Sequence, residues 1–342
     1  MDQEQLILHR LNHQMLLKPQ SAERVVGGLI GLQAQYGAAA LHALKIRASD
    51  APDLTQYVKT WSFRGTLHLH RKRDLPLVLY AGSESSFGQM SFLDEGIAPG
   101  RGAFFREIVA GALSTGDKTR EELKAACIRC GMNAREMEII LHPWGGLFRA
   151  MAEKGEIAYT AGGNRVFTRL DPLAPMEEEA ALREMMLRYV THYAPVSLRD
   201  AQTFFGLPQR KLKCLLELTA TQDLSFQGQT YFTMGQRLPA DAAMPDVLFL
   251  AGFDQMLLGY RKNENPILPQ ERIKSVYNNT GIIFPTVLLH GLACAVWKRT
   301  GNRLEIRPFQ TIGSKDRKKI ERKAVDNFGK VAVQWTGMQA TI

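Results

Sequence analysis

"SLRDAQTFFGLPQRKLKCLLELTATQDLSFQGQTYFTM", residues 197–234, is the stretch on which the fold turns. "SLRDAQTFFGL" and "PQRKLKCLLELTA" read as two successive helices. "DLSFQGQTYFTM" then alternates with period two and turns at Gly228, as a β-hairpin does. A longer helix, "EEEAALREMMLRYVTHYAP" (177–195), precedes them. Helices followed by a hairpin describe a helix-turn-helix with an added β-ribbon, the winged helix.

Two earlier blocks carry the same syntax, and such self-similarity constrains the whole fold. In the first, "QLILHRLNHQML" (5–16) and "SAERVVGGLIGLQAQ" (21–35) have helical apolar spacing. "APDLTQYVKTW" (51–61) reads as a third helix, capped by Asp50 or Ser49 with Pro52 in its first turn. "SFRGTLHLH" (62–70) alternates around a glycine as a hairpin. The second block opens at "AFFREIVAGAL" and continues with a helix whose capping box is Thr119 and Glu122 and whose stop is Gly131. A longer helix from Asn133, broken at Pro143, leads to a hairpin turning at Gly162, Gly163 and Asn164.

Beyond residue 240 the texture changes. "DVLFLAGFDQMLLGYR", "GIIFPTVLLHGLACAVWK" and "RLEIRPF" are strand-like, and "DRKKIERKAVDNFGKVA" is a last helix. The expectation is an α+β protein of tandem winged helix-turn-helix modules, with a β-rich, partly barrel-like C-terminal domain. The modules are 1–95, 96–172 and 173–238, and the C-terminal domain is 239–342. The alternative is that the modules only scaffold one another or mediate dimerisation.

The chain has 342 residues, 45% hydrophobic and 23% charged, with a formal charge of +9. That balance describes an ordinary globular protein, and the basic excess favours a polyanionic partner such as nucleic acid. No early segment has the form of a secretory signal, and no apolar run approaches the roughly 20 residues of a membrane span. A cytoplasmic location without a membrane partner is expected. Four cysteines are too few for a disulfide framework. "CIRC" (127–130) has the spacing of a zinc pair but lacks a second pair, so it reads as two cysteines one helical turn apart.

"GGLIGLQAQYGAAALHAL" (27–44) poses the functional question. In an unbroken helix Gln33 and Gln35 project about 200° apart and share no face. If both serve one site the helix must end or distort there, and Gly37 marks a place to end. In "SFRGTLHLH" an alternating strand puts Arg64, Thr66, His68 and His70 along one polar edge, suited to phosphate contact or to lining a site, or to packing against its own helices. His68 and His70 have metal-like spacing without a third ligand, so no metal is expected. Asp254 is an acid inside an apolar segment, which calls for a structural partner such as an arginine or backbone amides. Trp61, Trp144, Trp297 and Trp335 are assigned to cores. The run "SKDRKKIERK" (314–323) reads as a solvated helix face.

"LQAQ" (32–35), "TWSFRGTLHL" (60–69), "YAPVSLRDAQTFFG" (193–206), "FDQMLLGY" (253–260) and "GIIFPTVLLHG" (281–291) together resemble one family, the bacterial winged-helix DNA glycosylases of the AlkZ/AlkX type. The resemblance runs from about residue 5 to about 335. It implies tandem winged helices around a DNA channel and excision of N7-alkylated guanines, including bulky and interstrand-crosslinked lesions, without metal or organic cofactor. It implies that Gln33, Ala34 and Gln35 are the family's catalytic signature, a glutamine, an apolar residue, then a glutamine or an aspartate. The expected partner is double-stranded DNA carrying alkylated purines, engaged by a monomer. The chain departs from the family where an Asp-Arg pair follows the glycine-tyrosine: Lys262 and Asn263 stand there, so no role in lesion choice is carried over to them.

An amide is too weak a base to deprotonate water, but it can orient it with one carbonyl acceptor and two donors. N7-alkylation makes guanine a cation that departs as a neutral base, so no general acid is needed and positioning carries the catalysis. Cationic N7- or N3-alkyl purines should therefore be accepted and neutral lesions such as uracil refused. The competing reading of the glutamines is backbone hydrogen bonding at a helix end. A lysine-based lyase is disfavoured, since the first lysine downstream is Lys45. The rival from another class is a non-catalytic DNA binder such as a transcription regulator, which has no need of the glutamine pair. A family member that retains only binding is the third reading.

Overall fold

A computed structural model describes residues 1–84, 96–142, 145–162 and 165–337. The protein is a mixed α+β fold that divides into two compact units, one of residues 52–185 and one of residues 1–51 with 186–342. The expected turn residues Gly163 and Asn164, the expected break at Pro143, and Trp144 lie outside the described residues.

The unit 52–185 is built on one sheet whose strands run in the order Leu67–Arg71, Tyr57–Trp61, Ile157–Thr160, Val166–Arg169 and Lys118–Thr119. Residues 51–61 correct the expected helix. Only Leu54–Gln56 forms a single 3-10 turn, capped by Asp53 on the Thr55 amide, before the chain enters a strand at Tyr57. Tyr57, Val58, Thr60 and Trp61 are residue types that suit a pleated surface. The strand is also held on both edges, with Val58 opposite His70 on one side and Thr160 on the other. The hairpin therefore begins five residues earlier than "SFRGTLHLH" suggested, with Trp61 opposite Leu67. Its tip, Phe63–Gly65, is a 3-10 turn in which Arg64 is left-handed at φ 63°. Arg64 and Thr66 consequently belong to the turn, and only His68 and His70 stand on the strand.

The helices of this unit follow local rules. Thr119 accepts from the Glu122 amide and Glu122 bonds back to Thr119, starting the helix Arg120–Arg129, which Gly131 ends in a left-handed conformation. Arg101–Leu113, Ala134–Ile140 and Gly146–Glu153 complete the set. Phe105, Val109, Leu123, Cys127, Phe148 and Phe167 meet in the core, with Trp61 packed at its margin. Cys127 is thus a core residue, its thiol pushed up to about 11 by burial, whereas Cys130 is exposed.

In the other unit, Val196–Ser197, Leu198–Phe205, Gln209–Thr219 and the hairpin Gln222–Phe226/Gln229–Thr233 run in the order strand, helix, helix, hairpin, where the first unit has three helices between Lys118–Thr119 and its hairpin. The short first strand pairs with the second strand of the hairpin, as Lys118–Thr119 does in its own sheet. Ser197 caps the helix it precedes, as Thr119 does. The hairpin turns at Gln227 and Gly228, both at positive φ. The C-terminal strands form an open five-stranded sheet rather than a partial barrel, in the order Val247–Leu250, Thr286–Leu289, Leu292–Thr300, Arg303–Pro308, Ala332–Trp335. The last strand pairs in parallel, because the helix Ser314–Phe328 carries the chain back across the sheet. That helix buries Ile320 and Ala324 among Phe249, Val287 and Leu304, while Trp297 and Trp335 flank the cluster.

Candidate active site

The helix Ala22–Gly28 carries the chain toward the glutamines and stops well before Gly37. Its exit has the two bonds of a Schellman turn: the Gly31 amide donates to Val26 at 2.8 Å and the Ile30 amide to Gly27 at 3.2 Å. The left-handed position of that turn, at φ 58°, is occupied by Ile30 rather than by a glycine. Leu32 and Gln33 are extended, and Gly37, expected to end a helix, instead begins the helix Gly37–Lys45. The helix has therefore ended before either glutamine, with Gln33 on extended backbone and Gln35 in a bend, so the conflict between them on a helix does not arise. Gln33 is 8% exposed and Gln35 is open to solvent. Among the described residues neither side-chain amide has a hydrogen-bond partner. The competing reading, in which the pair serves only to bond backbone, has no such bond to rest on.

The turn is braced from beneath. The Tyr193 hydroxyl lies 2.9 Å from the Leu29 carbonyl oxygen and 3.1 Å from Gln255 Oε1, sharing its proton between them. Gln255 Nε2 donates to the Gly31 carbonyl at 3.3 Å. The carbonyls on either side of Ile30 are therefore both held by side chains that are themselves buried. Gln255 sits on a short helix, Gln255–Leu258, where a strand was expected, and Asp254 caps it by accepting from the Met256 amide. Asp254 is fully buried in a bidentate pair with Arg47, at 2.6 and 3.0 Å. Arg47 in turn donates to the Gln14 and Ala43 carbonyls. On the outer side, half-exposed Tyr36 stacks on Phe253 with ring centres 5.7 Å apart.

Gly28 is required by close approach. A Cβ built there would lie 2.6 Å from His192 Nε2 and under 3 Å from two further ring atoms. His192 is held at about 4, below the ordinary imidazole value, first by burial and then by the charges of Arg24, His13 and Arg188. His13, whose Nδ1 is 2.7 Å from the Thr191 carbonyl, is lowered as well, again mainly by burial.

Arg64, Thr66, His68 and His70 lie in the other unit; Arg64 and Thr66, in the turn, are half-buried, and the strand positions His68 and His70 are closed to solvent rather than open as a polar edge. His68 and His70 are 0% and 1% exposed. Arg64 Nη2 donates to His68 Nε2 at 3.1 Å, which leaves the proton on Nδ1 to donate to the Thr66 carbonyl at 3.1 Å. The Ser62 hydroxyl lies within 3.2 Å of both imidazoles, and Phe63 stacks on His68 with ring centres 4.6 Å apart. Burial lowers His68 far below its ordinary value and His70 to about 4. Among the described residues no group of three potential metal ligands forms around them.

Lys262 is exposed in a 3-10 turn with its ammonium 5.7 Å from the Tyr277 ring centre. The sequence reading passed over Tyr193, Gln255 and Ser62, although each stands inside a stretch that carried the family resemblance. The signal was present at the level of motif and absent at the level of chemistry.

A model of the family described as DNA glycosylase AlkZ-like matches residues 26–327 of this chain. An interstrand DNA cross-link repair glycosylase from Streptomyces sahachiroi is 26% identical over 333 residues, covering 89% of each protein. The solved structure of Streptomyces sahachiroi DNA glycosylase AlkZ superposes with a TM-score of 0.74 at 23% identity, covering 98% of this chain and 100% of that one, and it shares the fold. With the family match spanning most of the sequence and the glutamine segment inside it, the chain belongs to the AlkZ-like DNA glycosylases.

Proposed function

We propose that this chain is a monofunctional glycosylase that hydrolyses the N-glycosidic bond of cationic alkylated purines, N7-alkylguanine first among them. The observation that carries the reading is the pair of unbonded amides just past the helix exit: Gln33 nine-tenths buried on extended backbone, Gln35 exposed in the bend that follows. The bond from C1′ to N9 breaks with its electron pair going to the purine, whose positive charge is thereby cancelled. Water then bonds to C1′ and releases its proton to solvent. The amide carbonyls accept the water's hydrogens and hold its lone pair toward C1′, and neither is asked to act as a base. The name of the Streptomyces relative extends the proposal to purines in interstrand cross-links.

The substrate is double-stranded DNA, bound by a monomer without metal or organic cofactor. We take the segments 1–95, 96–172 and 173–238 as winged helices lining a concave DNA channel, with 239–342 beside them. The recurrence in two of these segments of a short strand, helices and a hairpin whose second strand pairs with that first strand supports that reading. Arg64 and Thr66, on a hairpin tip, are the residues of that turn assigned to DNA, with His68 and His70 as its buried support. The deciding experiment is release of free base from a duplex carrying one N7-methylguanine. Loss of at least tenfold in a folded Gln33→Ala or Gln35→Ala variant is expected, with no release of uracil by any variant. Wild-type rates in both variants would remove the glutamines from the chemistry.

A further inference from the structure

Ile30 is the point from which the inference starts. A β-branched residue in the left-handed region, as Ile30 is at φ 58°, is strained, and such conformations persist only where the surroundings over-determine them. Here the surroundings are explicit. Leu29 and Gly31, the residues before and after Ile30, each have their carbonyl oxygen fixed by a buried side chain, Tyr193 and Gln255 respectively. The two side chains also touch each other, the hydroxyl 3.1 Å from Oε1, so neither carbonyl can turn without disturbing both. Gln33 is only two residues beyond Gly31 along extended chain, so a peptide rotation at either carbonyl is passed directly to its Cα.

We propose that Tyr193 and Gln255 are positioning residues for the reaction, which fix the helix exit so that Gln33 is aimed at the attacking water. The proposal rests on the glutamine reading above. Neither residue touches the reacting atoms. Both act through the Leu29 and Gly31 carbonyls, and their own placement is determined from below. The Tyr193 ring lies against the Gly259 backbone so closely that a Cβ on that glycine would come within 2.5 Å of it. It packs against both Tyr189 and Phe204, with ring centres 4.9 and 5.0 Å away. Gln255 is set by the helix that Asp254 caps, and Asp254 by Arg47. Such a connected, fully buried polar network has few alternative arrangements, which is what a positioning device requires.

A plain structural role is the competing account, since any buried carbonyl needs a donor. The two accounts differ in what removal of one hydroxyl does. Tyr193→Phe keeps the ring and its packing and removes only the hydroxyl, with its contacts to the Leu29 carbonyl and to Gln255 Oε1. A purely structural bond lowers the melting temperature and leaves the rate of folded enzyme alone. A positioning bond lowers the rate of base excision while duplex affinity stays where it was, because misplacement of a catalytic group by about 1 Å can cost 100-fold.

The experiment is single-turnover release of N7-methylguanine from duplex DNA by wild type, Tyr193→Phe, Gln33→Ala and the double variant, with duplex binding measured alongside. The expected result is a loss of tenfold or more in Tyr193→Phe, with binding within twofold of wild type. In the Gln33→Ala background the same change should cost less than twofold, since there is no longer an amide to aim. Gln255→Met, which keeps side-chain length and loses the amide, should behave in the same way and serves if Tyr193→Phe does not fold. Wild-type rates in Tyr193→Phe, or an equal loss in both backgrounds, overturns the proposal while leaving Gln33 in place. Wild-type release by Gln33→Ala overturns the glutamine reading itself, and the proposal with it.

Discussion

Lowering the pH from 7 to 5 should destabilise the protein through His192. Its folded value of about 4 lies well below the 6.5 of an unfolded histidine. The unfolded chain therefore binds the proton first, and stability present above pH 6.5 is lost as pH falls toward 4. At pH 5 the loss from this one ring amounts to about 2 kcal/mol, from a total of about 5–15 kcal/mol for a domain. The groups around it reinforce the sign: Arg24, Arg188 and His13 all disfavour a second cation there, and only the backbone bond to His13 favours it. Urea unfolding at pH 7 and pH 5, for wild type and His192→Asn, isolates the contribution. Wild type should lose about 2 kcal/mol more than the variant over that interval. Parallel losses in the two proteins would show that His192 is not held neutral by its surroundings, and the packing against Gly28 would have to be reconsidered.

Two further outcomes test the same framework. Gly28→Ala gains about 1 kcal/mol of helix propensity, but its methyl must displace the His192 ring from 2.6 Å. The overpacking should win, leaving a net loss of about 1–2 kcal/mol in thermal unfolding, relieved in the Gly28→Ala/His192→Ala pair. Asp254→Ala leaves the fully buried Arg47 guanidinium without its carboxylate and should cost about 3–5 kcal/mol in urea unfolding; a loss under about 1 kcal/mol would mean that water reaches the arginine.

What was legible in the sequence was local. The capping box of Thr119 and Glu122 and the Gly228 hairpin are contained within a few residues, and the chain around them could be read as it folds. The strand Tyr57–Trp61 was not, because Asp50 and Pro52 imitate a helix start and the partner that decides otherwise is Ile157–Thr160, a hundred residues on. The glutamine segment was half legible. The need for a break followed from geometry, but its place did not, since the sequence offers Gly27, Gly28, Gly31 and Gly37 and the turn is made at Ile30. The brace of Tyr193 and Gln255 depends on contacts across 164 and 224 positions, which no spacing rule reports.

Why an isoleucine occupies that turn follows from two magnitudes. Its backbone strain is about 1–2 kcal/mol, whereas burying an isoleucine side chain contributes about 1.5–3 kcal/mol, and this one is 1% exposed. Burial therefore offsets the strain, and the side chain anchors the turn in the core in a way that glycine could not. With the side chain fixed on one side and the flanking carbonyls fixed by Tyr193 and Gln255, the turn has no cheap way to relax. A water-orienting amide, the role proposed for Gln33, has no strong chemistry to compensate for poor placement, so its value would depend wholly on being held still. Gln33 follows directly from a backbone whose local strain is locked in by the hydrophobic core.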